Sequence, residues 1–168
     1  MDHYPWKTGT TLNFYQEREA FLEDVHLAFA EEIERIESNA GKIIIPQIII
    51  NGDTIYKAFE DIEITAHNLR DDISQVGVIT AIDVIMSLGD LGLITYELKW
   101  YDSIGTANYV RNYWVEGIDE DIAAGTCGWV YKSGSLNFLG FQGNHIHLPQ
   151  DSRVLNSPEY YKTFWICL

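Results

Sequence analysis

The chain has 168 residues, 46% of them apolar, and a formal net charge of −14 from 25 acidic and 11 basic side chains. This length suits one domain spanning 1–168, able to bury a core without a metal or a disulfide. The charge argues against nucleic acid or an anionic membrane as a direct partner, since both demand a basic surface, and it suits a basic partner, because opposite fields speed and orient encounter.

Residues 1–13 read as an irregular lead-in with Pro5 and Gly9. No apolar signal core is expected there, and no stretch approaches the ~18 uninterrupted apolar residues of a membrane helix. The spacing of Phe21, Leu22, Val25, Phe29, Ile33 and Ile36 predicts an amphipathic helix over 15–38, with Glu17, Glu23, Glu31 and Glu34 on its other faces. Asn39 and Gly41 mark its end, because both tolerate a left-handed backbone.

KIIIPQIII follows and predicts a strand, with Pro46 at an edge or a bulge because it cannot donate to a ladder. Asn51-Gly52 signals a tight turn. Residues 53–70 fit either a helix or strands. The alternation in EIEIT and the preceding turn favour a strand. ISQVGVITAIDVIMSL predicts a second, buried helix over 72–88, capped by Asp71 or Asp72 and ended by Gly89. Asp83 is its one interior acid and is expected to face solvent or a base.

From residue 91 the pattern turns to strands. LGLITYELKWY and TANYVRNYWVEG predict a hairpin over 91–117, followed by the acidic loop GIDEDIAAG, then CGWVYK, LNFLGFQGNHIHLP and YYKTFWICL. In YVRNYW, alternation sets Tyr109 and Tyr113 on one face and Val110 and Trp114 on the other. The aggregate is α+β: an N-terminal amphipathic helix and a second buried helix on a curved, mainly antiparallel, meandering sheet of about five to six strands.

No motif fixes a reaction. The chain has no GxxxxGK[ST], no GxGxxG after a strand, no GxSxG and no HExxH. His145 and His147 flank one residue and would share a strand face, but no spacing recruits a third ligand from His3, His26, His67, Asp151 or Cys127. Cys127 in GTCGW lacks a basic neighbour that would activate it as a nucleophile. A disulfide to Cys167 is possible, although a cytoplasmic protein with reduced thiols is expected. No metal, cofactor or catalytic residue is therefore assigned.

Glu116, Asp119, Glu120 and Asp121 crowd the acidic loop. Read as a calcium loop from Asp119, it fails at the fifth, sixth and twelfth positions, which are Ala123, Ala124 and Val130. Its polar setting does not suit general acid–base work. The acidic excess lies wholly within residues 1–121, because 122–168 carry three bases and two acids. That asymmetry, with the surplus of aromatic residues, predicts a partner-binding surface at Glu116, Asp119, Glu120 and Asp121 together with Trp114 and Tyr113. The expected function is inhibition of a basic enzyme, as by an immunity protein or antitoxin that neutralises a nuclease toxin. One alternative is a small-molecule pocket, binding or enzymatic (lyase, isomerase or cyclase), using His145, His147 or Asp102. The other is a structural or assembly role.

Overall fold

The computed structural model describes residues 34, 36–38, 40–74, 76–105, 109–134, 149–155 and 159–167. Over these the chain is mixed α+β, with two helical segments and seven strands in two sheets.

Residues 34 and 36–38 are helical. Ala40 and Gly41 close the turn at positive φ, and the Gly41 N–H reaches back to the Ile36 carbonyl at 2.7 Å. The glycine stop therefore acts as its type predicts. The rest of the expected helix 15–38 and the lead-in 1–13 lie outside the described residues.

β1 (Lys42–Asn51) and β2 (Tyr56–Thr65) form an antiparallel hairpin, so residues 53–70 contain a strand. β1 buries Ile43, Ile45, Ile48 and Ile50 almost completely. Each such side chain contributes about 1.5–3 kcal/mol of transfer free energy, which fixes this strand as the core of its sheet. The buried set changes parity between Ile45 and Ile48, with Pro46 and Gln47 between them. β2 does the same: Phe59 and Ile62 face the core, while Glu60 and Asp61 between them are exposed. The register sets Asp61 opposite Pro46, and Asp61 adopts φ 52°. Both strands thus carry a matched irregularity, and the pairing on either side keeps one register. Pro46 also lies outside the part of β1, Ile48–Asn51, that pairs with a second neighbour.

Helix α1 spans Ala81–Asp90, not 72–88. Ile73 and Val76, which extend the helical pattern in sequence, are exposed, and Gly77 takes φ 89° with its N–H on the Asn68 side chain. Asp72 caps nothing; it pairs with Arg70. The cap is Thr80, whose N–H and hydroxyl both donate to Asp83 Oδ2 at 2.6 and 2.8 Å, a box that satisfies orphan donors of the first turn. Asp83 is consequently buried and does not face solvent, and the basic side chain beside it is His67. Its other oxygen accepts from the His67 backbone N–H at 2.8 Å and lies 3.0 Å from His67 Nδ1. The helix is buried as expected, packing Ile82, Val84, Ile85 and Leu88 into the core. Gly89 is required where Tyr96 crosses, since a Cβ there would enter the tyrosine ring.

β3 (Tyr96–Tyr101) and β4 (Asn112–Ile118) form the expected hairpin, with β5 (Asp121–Ile122) on the other edge of β4. Tyr109 and Val110 precede β4, so the alternation assumed for YVRNYW begins too early. β6 (Cys127–Gly134) and β7 (Tyr160–Cys167) are antiparallel. The sheets have the orders β2-β1-β7-β6 and β3-β4-β5. The single meandering sheet is therefore corrected to two sheets, and β7 pairs in parallel with β1. The strand expected at LNFLGFQGNHIHLP falls mostly outside the described residues.

Cys127 and Cys167 face each other across β6 and β7 and form a disulfide. The expectation of reduced thiols is corrected accordingly. Among the described residues no helix is long and apolar enough to cross a membrane.

Candidate functional site

The acidic loop is a turn between β4 and β5, and most of its charge is used inside the molecule. Asp121 is buried. Its carboxylate accepts from the Thr54 N–H (3.0 Å), the Thr54 hydroxyl (2.6 Å) and the Ile55 N–H (3.3 Å). It thereby secures the β1–β2 turn, and Gly52 is needed there because a Cβ would strike the Asp121 carboxylate and the Trp129 ring. Burial works to raise the Asp121 pKa, but the Thr54 hydroxyl and the backbone N–H donors outweigh it and hold the carboxyl below its usual value.

Asp119, at φ 50°, accepts from the Thr95 N–H at 2.8 Å. Its other oxygen lies 2.6 Å from Lys57 Nζ, an ion pair. Burial again opposes the charge, and the Lys57 ammonium and Thr95 donors outweigh it, so this carboxyl is also held low. Glu120, between the two, is exposed.

Glu116 lies apart from the turn, on the face of β4 that carries Trp114. Its oxygens accept from the Tyr101 hydroxyl at 2.9 and 3.2 Å, and Lys99 Nζ stands 3.4 Å away. Glu116 and Tyr101 line an open groove of about 420 Å³ where the three-stranded sheet meets β6 and β7. Tyr101, Ile104, Trp114 and Glu116 form one wall, and the segment 123–130 with Ile166 forms the other. Trp129, on that second wall, is buried and donates its indole N–H to the Asp121 carbonyl at 3.0 Å, which ties β6 to β5. Trp114 is 38% exposed and Ile104 40%. Tyr113 points the other way, packing on the core and meeting Trp100 edge-to-face at 5.0 Å.

The six residues expected to bind a partner therefore divide. Trp114 and Glu116 share the groove, Glu120 is open on the turn, Asp119 and Asp121 hold the turn together, and Tyr113 faces inward. Sequence reasoning missed Tyr101, Ile104 and Trp129 as wall residues. The glycines of GTCGW and the aromatic pair in KWY were the available signals.

The remaining candidates have local duties. His67 stands between Asp83 and Asp90, its Nε2 2.9 Å from Asp90 Oδ2. Asp151 is fully buried and accepts from Arg70 Nη1 (2.7 Å), Asn112 Nδ2 (2.8 Å), the Tyr113 N–H (2.8 Å) and the Ser152 hydroxyl (3.1 Å). The Asp72 hydrogen bond first, and then the Asp151 contact, outweigh desolvation and raise the Arg70 pKa, so this guanidinium stays charged. Asp102 accepts the Trp100 indole N–H at 3.1 Å. Cys127 is in the disulfide and is no nucleophile. His3, His26, His145 and His147 lie outside the described residues, as does the small-molecule site expected near the last two. Among the described residues no three His, Cys, Asp or Glu side chains are grouped to hold a metal. No protein-family model and no curated protein matches this chain.

Proposed function

We propose that this protein is a non-catalytic, acidic binding protein for a basic protein partner. In its sharpest form it is an inhibitor, of the immunity-protein or antitoxin kind, that covers the phosphate-binding surface of a basic enzyme such as a nuclease. The observation that carries the reading is the groove, which presents a half-exposed tryptophan and isoleucine around a carboxylate in a chain of charge −14. An exposed Trp is a residue type enriched among interface anchors, and the overall field would draw a cationic surface toward the carboxylate beside it.

The internal duties of Asp119 and Asp121 move the contact surface away from the turn's centre and toward Trp114, Glu116 and Glu120. The test is capture of a partner from the native host, identified by mass spectrometry. A basic protein should be retained stoichiometrically, lose affinity as salt rises, and be retained less well by Trp114→Ala. A monomer that captures nothing basic and is stabilised instead by a metabolite overturns the reading.

A further inference from the structure

We infer that the groove is an anchoring pocket for an arginine side chain of the partner, with Glu116 as its counter-ion and the Tyr101 and Trp114 rings as its cation-attracting walls; this rests on the partner-binding reading above. At about 420 Å³ the groove has room for a long side chain. Its charged lining residue is Glu116, and none of the lining residues is basic. The side chain of Glu116 is 18% exposed, so a cation reaching it leaves most of its water behind, and a desolvated charge pair is stronger than one in open solvent.

The protein's own Lys99 shows the same chemistry at the mouth. Its ammonium sits 5.0 Å from the Tyr101 ring centroid and 3.4 Å from the Glu116 carboxylate. Lys99 is half exposed, and an exposed pair of this kind is held weakly, so an incoming cation can displace it. A planar guanidinium suits the position better than an ammonium. It stacks on aromatic faces while its forked N–H groups engage a carboxylate. The Tyr101 hydroxyl already fixes that carboxylate in place.

The full chain should be titrated with Nα-acetylarginine amide and with its neutral isostere, Nα-acetylcitrulline amide, following the Trp114 indole and the backbone amides of residues 125–128 by NMR. Arginine amide is expected to give saturable shifts there and to bind at least about tenfold more tightly than the citrulline compound, the ratio worth about 1.4 kcal/mol. Glu116→Gln should abolish that preference. Lys99→Met should tighten arginine amide severalfold, which keeps the inference testable if the first variant misfolds. Equal binding of both amides, or arginine binding untouched by both variants, overturns it. Tighter binding of spermidine than of arginine amide would assign the groove to a free polyamine and also overturn it. If these titrations fail while a basic protein is still captured in a salt-sensitive way, only the arginine assignment falls. If arginine binds and no basic protein is captured, the partner reading fails instead.

Discussion

β4 carries carboxylates into two settings only a few residues apart. At its end, Asp121 is closed off by Thr54 and Ile55, and Asp119 by Thr95 and Lys57. On its exposed face, Glu116 opens on an aromatic groove. In sequence these groups form one acidic cluster. In the fold, charge density and available charge separate, because a carboxylate that accepts several backbone N–H groups is a structural fastener. The same distinction holds across the molecule: Asp151, one of only two acids in the slightly basic residues 122–168, has the most completely satisfied carboxylate described above.

This contrast predicts opposite orders for stability and for binding. The largest loss of stability should come from Asp151→Ala, which takes the buried acceptor from Arg70, Asn112 and the Tyr113 N–H and leaves Arg70 with the exposed Asp72 alone. Removing one partner of a buried ion pair costs about 3–5 kcal/mol, measured by denaturant unfolding. Next is the disulfide. Closing a segment with a sequence separation of 40 contributes on the order of 4 kcal/mol by chain entropy, so reduction should lower the unfolding midpoint. Thiol trapping in cells should find Cys127 and Cys167 joined, an outcome expected of an oxidising compartment.

Asp121→Asn should follow, at about 1–3 kcal/mol, because donors that met a carboxylate would face an amide. Asp119 and Asp121 have folded pKa values below their unfolded ones near 4. Their contribution is full above that value and is lost as pH falls through the folded pKa. Melting from pH 6 to pH 3 should therefore show a steep loss in the parent protein and a shallower one in Asp121→Asn. The smallest effect on stability belongs to Glu120→Gln, within about 0.5 kcal/mol. That variant should nevertheless slow association with a basic partner and flatten its salt dependence. If Asp121→Asn leaves stability unchanged, or Glu120→Gln unfolds the protein, the contrast is wrong.

What could be read from the sequence followed the range of the interactions. The isoleucine strand β1, the β3–β4 hairpin and the Gly41 stop are local patterns, and each forms as read, although the alternation of YVRNYW does not extend back to Tyr109 and the hairpin register shifts at Glu97 and Leu98. The start of α1 was obscured because Ile73 and Val76 continue an apolar rhythm into a segment that folds as turns with both side chains exposed. The pair Thr80 and Asp83, three residues apart, held the boundary. Pairing of β7 beside β1, the division into two sheets and the meeting of Arg70, Asn112 and Asp151 depend on residues far apart in the chain. Periodicity carries no information about these. The groove was half legible: Trp114 and Glu116 share a strand face by parity, whereas the opposing wall comes from a different sheet.

The irregularity at Pro46 and Asp61 has a genetic consequence. Deleting Pro46 alone would bring Ile43, Ile45, Ile48 and Ile50 into plain alternation but leave Asp61 without a counterpart, so the pairing with β2 on one side of that point would slip by one residue. Deleting Asp61 alone would leave Pro46 unmatched in the same way. Losing both would restore pairing and parity together. The two positions, 15 residues apart in the chain and adjacent in the sheet, therefore form one heritable unit: a length change at either should be rescued only by its counterpart at the other.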